Sequence, residues 1–98
     1  DYVGEGFFFT NSFEKAKKYG KYVIKAELNM NNPNIIDNED DIKKLKDIFG
    51  GFMKYHEIKK TNPKYIKEEL QKLGYDGLVD NLYNQYAVFE PEQIKIIE

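Results

Sequence analysis

The spacing of apolar and polar residues changes several times along this chain, and each change marks an element. Phe7, Phe8 and Phe9 form a three-aromatic run between a Gly4-Glu5-Gly6 turn and the polar corner Thr10-Asn11-Ser12. The run is too short for a helix and is built of strand formers, which predicts a short buried strand. The two glycines allow positive φ or close passage of the backbone. Ser12 suits a helix N-cap, and Phe13, Ala16 and Tyr19 recur on one face of a short helix. Gly20 fits the position just past its end. From Lys21 to Leu28 the chain alternates, with Tyr22, Ile24, Ala26 and Leu28 on one side, as in a half-buried strand.

Residues 29–38 hold five asparagines, one proline and one aspartate, the composition of a loop, which Ile35 and Ile36 would pin to the core. From Asp41 to Phe49, Ile42, Leu45, Ile48 and Phe49 make a helical face behind the acidic start Glu39-Asp40-Asp41, which suits the helix dipole. Gly50-Gly51 ends that helix. Phe52 to Lys60 reads as a second short helix with Phe52, Tyr55 and Ile58 inward. Thr61-Asn62-Pro63 is a strong helix start; Tyr65, Ile66, Leu70 and Leu73 form its buried face, and Gly74 closes it. Then come a tight turn at Tyr75-Asp76-Gly77, a short strand at Leu78-Val79, a polar turn from Asp80 to Asn84, and strands at Gln85–Phe89 and Gln93–Ile97, separated by Glu90-Pro91-Glu92. Helices grouped apart from a largely antiparallel set of strands argue an α+β fold.

Composition removes several chemistries. Ninety-eight residues make one domain with a modest core. Cysteine is absent, which rules out disulfides and thiolate chemistry, and a single histidine, His56, rules out multi-histidine metal sites within the chain. The net charge of -2 gives no broad attraction to nucleic acid or anionic membrane. All fifteen basic residues are lysine, so bidentate guanidinium clamps on phosphate are unobtainable. No apolar run reaches membrane-spanning length. The chain opens on Asp1 rather than methionine and meets a motif within a few residues, as a piece of a longer protein or a processed product would.

The local chemistry is modest taken residue by residue. A pocket beside the opening strand and helix would have aromatic walls and hydroxyls, suited to a flat heteroaromatic ligand; a plain core strand and amphipathic helix is the competing reading. The acids at 39–41 read as a solvated helix start, since hard cations need a defined oxygen cage. His56 reads as a surface residue.

Two stretches carry a resemblance. Gly4-Glu-Gly-Phe-Phe-Phe-Thr10, a polar gap and a helix with Ala16 and Tyr19 resemble the second motif of ADP-ribosyltransferases of the diphtheria-toxin and poly(ADP-ribose) polymerase type. Gly74-Tyr-Asp-Gly-Leu-Val79 followed by Gln85-Tyr-Ala-Val-Phe-Glu-Pro-Glu-Gln-Ile-Lys95 is similar to the third-motif region of phage and mobile-element members. The resemblance implies split antiparallel sheets with flanking helices, and NAD as substrate without a metal. It implies that Phe8 and Tyr19 stack on nicotinamide in a cleft between the sheets, that Thr10 or Ser12 and backbone near Gly6 hold its carboxamide, and that Gln85 touches the nicotinamide ribose. It further implies glycosyl transfer with release of nicotinamide, a host protein as acceptor, and action in the cytoplasm of a bacterial cell.

The departures matter as much. Phe8 keeps the stacking face of the family's tyrosine without its hydroxyl. Gln85 stands where the family has glutamate: an amide can hydrogen-bond a ribose hydroxyl but brings no charge to an oxocarbenium-like centre. Glu90 and Glu92 are the nearby acids, read as a charged edge around Pro91. The family's first motif, a histidine or arginine on an upstream strand, has no counterpart, so residues 1–98 read as one domain without its N-terminal strand, either completed by an upstream segment or another chain, or a shortened relative of the family. Two other classes remain: a non-catalytic module of the same fold that binds NAD, ADP-ribose or a protein, and a small nuclease-like toxin or structural domain. The lack of a basic surface and of a histidine-centred site speaks against a nuclease.

Overall fold

The computed structural model describes residues 6–20 and 22–97. Gly4 of the opening turn and Lys21 at the start of the expected second strand lie outside them. In chain order the elements are β1 (Phe7–Thr10), α1 (Phe13–Tyr19), β2 (Lys25–Leu28), β3 (Pro33–Ile36), α2 (Glu39–Ile48), α3 (Phe52–Thr61), α4 (Pro63–Lys72), β4 (Gly77–Asp80), β5 (Gln85–Val88), a 3-10 turn at Pro91–Gln93 and β6 (Ile94–Ile97). The strands form a four-stranded sheet in the order β1-β5-β4-β3 and a separate β2-β6 pair. This is an α+β arrangement with split sheets, compatible with an ADP-ribosyltransferase-like fold.

One face of the larger sheet packs on the helices. Ile36, Leu78, Ala87 and Phe89 meet Ile42 and Leu45 of α2, Tyr55 of α3, and Ile66 and Leu70 of α4 in one cluster. The i, i+3, i+4 spacing of these helical residues puts them on a single stripe. Asn38 caps α2 by accepting from Asp41 N, with three acids in the first turn as the dipole favours. Gly50 and Gly51 end the helix at φ of 96° and 105°, a region that glycine enters without strain.

The structure corrects several local expectations. The asparagine-rich loop contains a strand: Pro33–Ile36 pairs in parallel with β4, so the sheet is mixed. Propensity hides this strand because its partner lies more than forty residues downstream. Gly20 sits at φ -172°, extended backbone open to any residue, and not in the left-handed region. Phe52 points outward, 65% exposed, because α3 buries only Tyr55 fully. The second strand begins at Lys25, and Tyr22 and Ile24 are exposed. Phe7 and Phe8 are exposed too: β1 is an edge strand, and nothing described covers its outer side.

Candidate functional site

The two motif stretches, seventy residues apart, become neighbours in the sheet. Strand β1 pairs antiparallel with β5, with Phe8 opposite Ala87, Phe9 opposite Tyr86 and Thr10 opposite Gln85. Opposed residues share a face and the face alternates along each strand. Phe8, Thr10 and Gln85 are therefore on one side, the side of the helices, and Phe9 and Tyr86 on the other. Gly6 lets this pairing begin: at φ 131° it passes so close to β5 that a Cβ would stand 2.9 Å from Val88 O.

The corner after β1 is tied down by its own hydroxyls. Thr10 Oγ1 donates to Asn84 O at 3.0 Å and accepts from Ser12 N at 3.2 Å. Its one O–H is thereby engaged. Ser12 Oγ accepts from Lys15 N, the N-cap bond of α1, and this leaves its O–H to donate. Lys15 Nζ donates to Tyr83 O at 2.9 Å and Asn11 Nδ2 to the Tyr86 hydroxyl at 3.1 Å, which fastens α1 to the turn before β5.

A cleft of about 630 Å³ opens on the other side, between the two sheets, a size that suits a small-molecule ligand. Phe9, Tyr86 and Val79 form its floor, Phe13 and Ala16 of α1 one wall, and Leu28 and Ile97 of the second sheet the other. Lys25 is its only charged lining residue among those described. Thr10 and Ser12 line this cleft, whereas Gly6, Phe8, Tyr19 and Gln85 do not. Tyr19 is 86% exposed at the end of α1. The expected set is thus divided: Phe8 and Gln85 share the helix-side face, the two hydroxyls edge the cleft, and Tyr19 stands apart.

Much of the second motif stretch turns out to be architecture. Asp76 accepts from Asn31 N and Asn32 N, at 2.6 and 3.0 Å, and so pins the loop before β3. Gly77 has no room for a side chain, since a Cβ would lie 2.5 Å from Ala87 O and 2.6 Å from Met30 Sδ. Gln93 joins the two sheets. Its Oε1 accepts from Phe89 N and Glu90 N, and its Nε2 donates to Asn29 O and Asp76 O. Glu90 is engaged by Gln71 and Lys67, whose hydrogen bond and charge hold its carboxyl below the ordinary range.

Asp80 was read in the sequence only as the first residue of a turn. It is instead fully buried at the end of β4. Its Oδ1 accepts from Leu82 N and Tyr83 N, at 2.9 and 3.1 Å, while Oδ2 meets no donor among the described residues. An aspartate opening a turn was the available signal; its burial was not visible, because burial comes from the helices packed over β4.

His56 is remote from both faces of β1. It lies on α3 with Nε2 3.4 Å from Lys46 Nζ and its ring against Phe52. Desolvation, and then the charges of Lys46 and Lys59, push its pKa down. Among the described residues no group of three or more histidine, cysteine, aspartate or glutamate side chains is gathered as metal ligands would be.

A family model described as ADP-Ribosyltransferase in polyvalent proteins matches residues 1–98. No curated protein and no solved structure matches significantly.

Proposed function

The chain belongs to the family of ADP-ribosyltransferases in polyvalent proteins, and from that premise we propose that it cleaves NAD at the nicotinamide–ribose bond and transfers ADP-ribose to an acceptor. The observation that carries this reading is the β1–β5 pairing, which puts Phe8 and Gln85 on one face of adjacent strands, two ladder positions apart. In our reading nicotinamide stacks on Phe8, and Gln85 hydrogen-bonds the nicotinamide ribose. Ser12, whose O–H meets no acceptor among the described residues, is the better of the two hydroxyls for the carboxamide, and it reaches the helix-side face only with a movement of the corner after β1, since it now edges the cleft. Tyr19 and the backbone at Gly6 complete the set through local movement of α1.

The strand that carries the family's first motif would pair with the open edge of β1, where Phe7 and Phe8 now face solvent. An uncovered apolar edge strand is a template for a further strand, and this one would come from an upstream segment or another chain. For a ligand in the cleft between the sheets, the competing position, Lys25 is the one charged lining residue among those described that could meet a diphosphate. Gln85 cannot carry the charge of a glutamate, so single transfers are expected rather than chains of ADP-ribose. By analogy with phage and mobile-element relatives, the acceptor is a host protein in the bacterial cytoplasm, an analogy of fold and not of site.

A second reading rests on Gln85 and on the absence of any carboxylate among the described lining residues of the cleft: a module that binds NAD or ADP-ribose without turnover. The deciding experiment is nicotinamide release from NAD by the full natural chain, with calorimetric NAD binding, for wild type, Phe8→Ala and Phe9→Ala. Release lost in Phe8→Ala and kept in Phe9→Ala supports transfer at the helix-side face. The reverse pattern moves the ligand to the cleft between the sheets. Binding without release favours the module, and neither sinks both readings.

A further inference from the structure

Asp80 is the one fully buried charged side chain among the described residues. Its Oδ1 shapes the turn into β5, and its Oδ2 is buried without a donor among the described residues. A buried polar atom left without a partner is uncommon enough to demand a cause. Gln85 stands directly opposite Asp80 in the β4–β5 ladder, and Thr10 directly opposite Gln85 in the next. Opposed residues carry their side chains on one face with Cβ atoms roughly 4.5–5.5 Å apart. A change of Gln85 rotamer therefore brings its amide within hydrogen-bonding reach of Asp80. That amide has no other partner among the described residues.

We infer that Asp80 is a positioning residue for ADP-ribosyl transfer, its Oδ2 accepting from Gln85 Nε2 and so turning Gln85 Oε1 toward the bound ribose. The inference rests on the transfer reading above. Its logic is one of polarity. A free glutamine can present either end of its amide. An ionised carboxylate only accepts, so a carboxylate behind Gln85 can hold only the NH2 end. The oxygen is then left facing outward as an acceptor, the polarity of the glutamate that Gln85 replaces. Thr10 cannot donate to the amide oxygen, since its one O–H already goes to Asn84 O. The proposed pair extends to the free protein: the Gln85 rotamer in the structure leaves Oδ2 without a donor among the described residues, and a second rotamer supplies one.

Two measurements on the full natural chain test this. The first is a double-mutant cycle in unfolding, without ligand, using Asp80→Asn and Gln85→Ala. Non-additive midpoint shifts are expected, because paired residues couple; additive shifts overturn the pair. The second is nicotinamide release from NAD. Asp80→Asn keeps the turn-shaping Oδ1 but offers an NH2 to Gln85, which flips the amide and presents its NH2 to the ribose. Release should fall roughly 10–100-fold, the usual scale for a misoriented group, with the unfolding midpoint held or raised. Gln85→Glu alone sets two carboxylates side by side and should lower the midpoint. The swap Asp80→Asn with Gln85→Glu restores the acceptor and should bring release back to wild-type level or above. Wild-type release in Asp80→Asn, or a swap no better than Asp80→Asn, overturns the positioning role. If wild type releases no nicotinamide, the transfer reading fails by itself, and the unfolding cycle still decides the pair.

Discussion

Replacing Gln93 with alanine should destabilise the fold by about 3 kcal/mol, an unusual cost for a half-buried polar residue. The side chain makes four hydrogen bonds, to Phe89 N, Glu90 N, Asn29 O and Asp76 O, between 2.7 and 3.1 Å. Phe89 is almost fully buried, so its N–H would be left with neither protein nor water, at roughly 1–3 kcal/mol. The other three groups recover water in part, and together they lose about 1–2 kcal/mol. For a domain of this size, stable by roughly 5–15 kcal/mol, a loss of 3 lowers the melting midpoint by about 12–24 °C. Urea unfolding followed by circular dichroism measures it, with exposed Glu92→Ala as a control expected to change by less than about 0.5 kcal/mol. Gln93→Glu sharpens the reasoning. It keeps the acceptor oxygen but turns the donor toward Asn29 O and Asp76 O into a second oxygen. It should be at least as damaging at neutral pH and should recover in part on acidification, when the carboxyl regains a proton to donate. A loss under about 1 kcal/mol for Gln93→Ala would refute the claim that this side chain holds the two sheets together.

Gly77→Ala should cost about 1–3 kcal/mol, and Met30→Ala should relieve it only in part, because the contact with Ala87 O is to backbone; denaturant midpoints of the single and double variants decide. Asp76→Ala should free the amides of Asn31 and Asn32, read as faster hydrogen exchange at those two positions with the core helices unchanged. Stability should fall on acidification in two windows. His56 has a lowered pKa, so its contribution is complete above the ordinary value of 6.5 and shrinks below it as the unfolded chain takes up the proton first. Glu90 is also lowered, so its contribution is present above the ordinary value of 4.5 and is lost as the pH falls through the folded value. Both groups are exposed and the steps small; His56→Gln should flatten the upper window and Glu90→Gln the lower in melting curves taken from pH 7 to pH 3.

Local information in the chain was enough for most of the elements. Ser12 marks a helix start through a bond made within a few residues of itself, Pro63 marks one through its fixed φ, and Gly50-Gly51 marks an end through its own backbone freedom. The stripe of Ile42 and Leu45, and that of Ile66 and Leu70, needed only the helical period to be seen. The two motif stretches were legible for the same reason, since each is a continuous run. What lay beyond reach was everything set by a distant partner. Strand β3 exists because β4 pairs with it, and nothing in an asparagine-rich segment announces that partner. Phe8 and Phe9 look alike in the sequence, yet the pleat sends them to opposite faces of the sheet, and only the pairing with β5 says which face meets the helices. Gln93 read as the first residue of a strand and Asp76 as part of a tight turn until the fold brought four backbone groups around one and two around the other. Asp80 is the clearest instance: a polar residue before a turn becomes a buried carboxylate because α2, α3 and α4 close over the sheet behind it. Helix starts and hydrophobic stripes are short-range properties of the backbone and its side chains. Burial and register are properties of pairs of segments far apart in the chain, and they come into being only when those segments meet.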